Sequence, residues 1–81
     1  MEWIKGIQRA IDYMEMHITE KINYEDIAKE AYSSSFHFQR IFSIICGFTV
    51  GDYIRMRRLS MAASDLIYNN DKVIEVAMRY G

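Results

Sequence analysis

The stretch that decides the fold is Asn23-Tyr-Glu-Asp-Ile-Ala-Lys-Glu-Ala-Tyr-Ser-Ser-Ser-Phe-His-Phe-Gln-Arg-Ile-Phe-Ser-Ile-Ile-Cys-Gly47. Asn23 is a residue that caps a helix by accepting a hydrogen bond from a free backbone N–H, and Glu25 and Asp26 place negative charge at the positive end of the helix dipole. A short helix over about residues 24–31 follows, anchored by Ile27, with Ala28 and Ala31 small enough to admit a close neighbour. Ser33, Ser34 and Ser35 form a turn, because serine hydroxyls compete for local backbone groups. Ser34 is the expected N-cap of a second helix over about residues 35–46, and Gly47 stands where a left-handed C-terminal cap belongs. In that second helix Phe38, Ile41, Phe42 and Ile45 form a stripe for burial. Phe36, Gln39, Arg40 and Ser43 fall at the same helical spacing on the opposite face. Two short helices joined by a tight turn are the layout of a helix-turn-helix.

Outward from this stretch the periodicity stays helical. Ile4, Ile7, Ile11, Met14 and Ile18 recur every three or four residues and predict a helix over about residues 3–18, with Lys5, Gln8, Arg9, Asp12 and Glu15 on a solvated face. Thr49 followed by Asp52 is a capping-box variant. It opens a long helix over about residues 50–68, whose expected apolar contacts are Tyr53, Ile54, Leu59, Ala62, Ala63, Leu66 and Ile67. Asn69, Asn70 and Asp71 predict a turn, with Asp71 as a cap for a last helix over about residues 72–80 that groups Val73, Val76, Ala77 and Tyr80. With no proline and only four glycines in 81 residues, the chain reads as all-α with short connections.

An 81-residue chain that is 51% apolar and 26% charged is globular and has room for one small core. No run reaches the ~20 apolar residues of a membrane span and the N-terminus lacks the pattern of a signal peptide, so the expectation is a cytoplasmic protein. The single cysteine, Cys46, has no partner at disulfide or metal-ligand spacing and suits a small buried position. His17 has no ligand-spaced partner either, and the six methionines read as core filler. No catalytic constellation, phosphate-binding glycine loop or metal motif occurs, which argues against an enzyme and implies no cofactor.

The net charge of −1 hides an uneven distribution. Residues 1–32 carry four basic groups against seven acidic ones, whereas residues 33–60 carry Arg40, Arg55, Arg57 and Arg58 against Asp52 alone, a local balance of +3. A phosphate backbone responds to the local face rather than to the total. The helix over residues 35–46 therefore suits the DNA major groove, where Arg40 can donate twice to guanine, Gln39 can pair with adenine and Phe36 can meet a thymine methyl. Ser35 and Ser43 complete the expected base-contacting set. Ser34, His37, Arg55 and Arg58 form the expected phosphate-contacting set. Arg57 lies about 100° round the helix from Arg58, so at least one of these arginines is a candidate for internal pairing. The competing reading is a helical protein-protein interaction module that uses Phe36 and the face of helix 72–80.

In order and spacing, Asp26-Ile27-Ala28, Ser34, Phe38-Gln39-Arg40-Ile41-Phe42, Gly47, Tyr53-Ile54, Arg58-Leu59, Ala62, Ile74, Val76-Ala77 and Tyr80-Gly81 resemble the DNA-binding domain of the AraC/XylS family of bacterial transcription regulators. The resemblance runs over nearly the whole chain. It implies a seven-helix domain in which two helix-turn-helix units, joined by a long linker helix, read adjacent major-groove segments. Residues 3–47 match the first unit, residues 50–68 the linker, and residues 72–81 the start of the second. The resemblance also implies RNA polymerase as a partner of the intact regulator. Tyr32 departs from the family, where many members have glycine in the turn, and predicts a looser corner. The second turn and second recognition helix would follow Gly81, so the expectation is a fragment, with any effector region further C-terminal. Val73, Val76 and Tyr80 would then form an uncovered apolar patch, which a homodimer or an exchange of helix 72–80 between chains would hide.

Overall fold

The computed structural model describes residues 3–68 and 72–80. Among them it contains α1 (Trp3–Met16), α2 (Tyr24–Glu30), α3 (Ser35–Cys46), α4 (Val50–Tyr68) and α5 (Val73–Tyr80), and no strand. The fold is all-α and its central element is a helix-turn-helix. The turn at Asn69, Asn70 and Asp71, with the cap expected at Asp71, lies outside the described residues.

The Asn23 side chain accepts from the Glu25 amide at 2.8 Å and starts α2. Ser34 Oγ accepts from the His37 amide at 3.2 Å and starts α3, which ends on Gly47 at φ 81° with its N–H donating to Ser43 O. Thr49 Oγ1 accepts from the Asp52 amide at 3.0 Å and starts α4. The Asp52 carboxyl is held below the ordinary aspartate value, first by its hydrogen bond from Arg55 and then by the one from Thr49. Helix α1 stops at Met16, and residues 17–19 form a turn where the periodicity predicted helix to Ile18.

Helices α1, α2 and α3 pack in sequence, α4 closes over α3, and α5 packs on α4, giving an elongated body of 44 × 20 × 17 Å. The core combines Ile7, Ala10, Met14 and Ile18 with Ile27, Ala28 and Ala31 of the α2 end, Phe38 and Phe42 of α3, and Val50 and Ile54 of α4. Ala28 and Ala31 are fully buried at the α2–α3 corner, as their size predicts. Cys46 is half-buried against this core, and burial pushes its thiol pKa up.

Several expected core residues lie outside it. Ile4 is exposed because it sits about 100° round α1 from Trp3, and the buried face is centred on Trp3, Ala10 and Met14. Ile45 remains 45% exposed. The seven-residue α2 is too short to cover the last turn of the twelve-residue α3. In α4, Leu59 (66% exposed), Ala63 and Ile67 face outward, because beyond Ile54 the contacts of the helix with α1, the turn after it and α5 leave these positions uncovered. In α5 only Val76 is buried, whereas Val73 and Ala77 are exposed and Tyr80 is half-buried.

The corner between α2 and α3 is closed at Tyr32, contrary to the looser turn expected there. Tyr32 adopts φ 53°, its N–H donates to Lys29 O at 3.0 Å, and the Ser33 N–H donates to Ala28 O at 3.1 Å. This is the paired hydrogen-bond pattern in which glycine usually takes the left-handed position. For tyrosine that conformation costs ~1 kcal/mol. The Arg9 guanidinium, 5.1 Å from the Tyr32 ring centroid, offsets part of the cost. Tyr32→Gly is therefore expected to raise the urea midpoint slightly. Tyr32→Val, a β-branched residue in the same conformation, should lower it by the equivalent of ~1 kcal/mol. The opposite order of midpoints would show that the turn is not left-handed.

Candidate nucleic-acid interface

Fully buried Phe38 and Phe42 fix the rotation of α3, their ring centroids 5.7 Å apart. Phe42 is also 6.0 Å from the Phe48 ring and 6.2 Å from the Tyr53 ring, so the α3–α4 connection and the start of α4 pack on the same anchor. With one side of α3 held in this way, the other side must face out.

That outer side carries the residues singled out from the sequence. Phe36 is 77% exposed, Arg40 is exposed, Gln39 and Ser43 are half-buried, and the four line one shallow depression. Gln39 Nε2 donates to Ser35 Oγ at 3.0 Å, one helical turn back. Arg40 makes no hydrogen bond or ion pair with any described residue, so its five donors point to solvent. Exposed Phe36 beside an unengaged arginine gives this face the apolar and charged groups that a base edge could meet. The His37 ring lies at the margin, 5.5 Å from the Trp3 ring. The Ser34 hydroxyl is engaged in capping.

The basic residues of α4 do not form one row. Arg57 Nε donates to Glu15 Oε1 at 2.7 Å, joining α4 to α1. Arg58 donates from Nε to Ile18 O at 2.9 Å and from Nη2 to Glu20 O at 2.7 Å, which fastens α4 to the turn after α1. Internal pairing was an open possibility for these arginines. It engages Nε of Arg57 and two of the donors of Arg58. Arg55 pairs with Asp52 one turn away, and both side chains are about half-exposed or more, so that pair can open at little cost. On the outer face of α1, Lys5, Gln8 and Asp12 are exposed as expected, whereas Glu15 and Arg9 are less solvated than their pattern implied. Glu15 holds Arg57, and Arg9 donates to Glu30 O at 2.8 Å. Spacing within one helix carries no signal of such partners, which come from distant parts of the chain.

A larger concavity of about 650 Å³ lies between α4 and α5, lined chiefly by apolar groups such as Leu59, Ala62, Leu66, Val73 and Val76. Asp65 borders the α4–α5 contact, accepting from Arg79 and, at 2.7 Å, from the Tyr80 hydroxyl, whose pKa this hydrogen bond raises. These contacts hold one helix to the next and present no reactive pair. Among the described residues no His, Cys, Asp and Glu cluster could hold a metal ion, and no helix is long and apolar enough to cross a membrane.

No protein-family model matches the chain. Individual proteins do. The chain is 41% identical over 80 residues to the HTH-type transcriptional regulator YbfP of Bacillus subtilis, itself uncharacterised, covering 99% of this chain and 27% of YbfP. It is 35% identical over 74 residues to the HTH-type transcriptional activator AarP of Providencia stuartii, covering 91% of this chain and 55% of AarP. To the regulatory protein SoxS of Escherichia coli it is 36% identical over 77 residues, covering 95% of this chain and 72% of SoxS. The chain thus spans about a quarter of the first relative and about half of the second.

Proposed function

Because the chain belongs to the AraC/XylS family of HTH-type transcriptional regulators, we propose that it binds double-stranded DNA sequence-specifically, with α3 in the major groove. The observation that carries this reading is Arg40, exposed and unengaged among the described residues, on a helix whose rotation two buried phenylalanines fix. Arg40 donates to guanine, Gln39 pairs with adenine and Phe36 lies against a thymine methyl, with Ser43 at the end of the same face. Arg55 leaves Asp52 for a phosphate, where the charge pairing is stronger than at an open surface. Ser34, His37 and the remaining donors of Arg58 border the phosphates on either side. In the intact regulator, residues 72–81 would open a second reading unit, and RNA polymerase would be the protein partner in the bacterial cytoplasm.

Salt dependence tests the proposal. Binding of the 81-residue chain to duplexes selected from a randomised pool should weaken along a straight line in log affinity against log salt, with a slope that counts the phosphates neutralised. Three or four contacts would give a slope of about −3. Binding that survives added salt, or a selected pool without a shared motif, would overturn the proposal.

A further inference from the structure

We propose that Ser35 sets the base preference of α3 by holding the Gln39 amide, so that Gln39 accepts adenine and rejects guanine; this rests on the DNA-reading proposal above. Ser35 is the first residue of α3 and the cap is Ser34, so the Ser35 hydroxyl is not needed to start the helix. It accepts instead from Gln39 Nε2 at 3.0 Å, and both residues are half-buried.

A glutamine amide has two N–H donors and one carbonyl acceptor. With one donor given to Ser35, a single donor remains beside the acceptor. That pair complements the major-groove edge of adenine, which offers the N7 acceptor beside the N6 donor. Guanine offers two acceptors, N7 and O6. An untethered amide can turn both N–H groups toward them, and the tethered one can do so only by giving up the Ser35 bond. The tether also orders a long side chain before DNA arrives, so less conformational freedom is lost on binding. Ser35, counted from the sequence among the base contacts, is on this account a positioning residue that acts through Gln39. Arg40, one residue further on, has no such tether among the described residues.

The test uses the whole chain and duplexes selected from a randomised pool. The column of the selected motif that Gln39→Ala loses marks the base pair Gln39 reads. Duplexes carrying adenine or guanine at that position are then compared by competition. Wild type should favour adenine by about tenfold, within the range of one good side-chain to base pair. Ser35→Ala should bring the ratio to within about threefold of unity, while Ser35→Thr, which keeps the hydroxyl, should retain it. In a Gln39→Ala background Ser35→Ala should change nothing. An unchanged ratio in Ser35→Ala, or an equal loss on both duplexes, would overturn the inference. A selected motif with no column dependent on Gln39 would overturn it too and leave DNA reading through Arg40 standing. No selected motif at all would overturn both.

Discussion

Phe42→Ala is expected to lower the stability of the chain by ~3–5 kcal/mol in the absence of DNA. The ring is fully buried and touches Phe38, Phe48 and Tyr53, so its loss opens a void shared by α3, α4 and the connection between them. Truncating a buried phenylalanine costs ~3–5 kcal/mol, because the surroundings only partly collapse into the cavity. An 81-residue domain has a total stability of ~4–12 kcal/mol. One substitution therefore removes a quarter or more of what holds the fold. Ile45→Ala is the control: this residue was also expected in the stripe, but it is 45% exposed and should cost ~1 kcal/mol or less. Urea denaturation followed by far-ultraviolet circular dichroism separates the two. Equal losses would mean that α3 is rotated from the orientation described here, and its outer face with it.

The second large effect is on DNA. Arg40→Ala should lower affinity for a selected duplex by about 5- to 150-fold, the value of one good arginine-guanine pair, and leave affinity for a scrambled duplex nearly unchanged. Arg55→Ala should weaken both duplexes alike and reduce the salt slope by about 1. The contrast follows from position. Arg40 extends from the outer face of α3 with no intramolecular bond among the described residues, whereas Arg55 sits one turn into α4 in an exposed pair with Asp52. Parallel titrations of the two variants on the two duplexes decide the matter, and an equal loss on both for Arg40→Ala would end its role in reading bases.

How much of this was legible in the sequence depends on how far apart the interacting residues lie. Asn23, Ser34, Gly47 and Thr49 each act within three or four positions of themselves, and the helix boundaries they predict for α2, α3 and α4 agree with the structure to within a residue. The outer face of α3 was legible for the same reason. Burial beyond one helix was not. Whether Ile45, Leu59 or Ile67 is covered depends on the lengths of neighbouring helices, which no periodicity contains. Arg57 and Arg58 reach partners 38 to 42 positions away, so their spacing in α4 carried no hint of Glu15 or of the carbonyls of Ile18 and Glu20. The bond between Gln39 and Ser35 is a different case. It spans four residues and helical spacing alone could have suggested it, yet both residues read more simply as two independent contacts.

Because Arg58 engages two main-chain carbonyls rather than side chains, its hold on the turn after α1 does not depend on which residues occupy positions 18 and 20. With the Arg57 to Glu15 pair beside it, α4 is also pinned to α1. The α1 to α4 unit is thus braced in two ways, by aromatic packing at Phe42 and by guanidinium groups at residues 57 and 58. A force applied to α4 from its far end would be borne by α1 before it reached the outer face of α3. The outer face of α3 is in this sense mechanically shielded, and substitutions that disturb α5 can leave it in register.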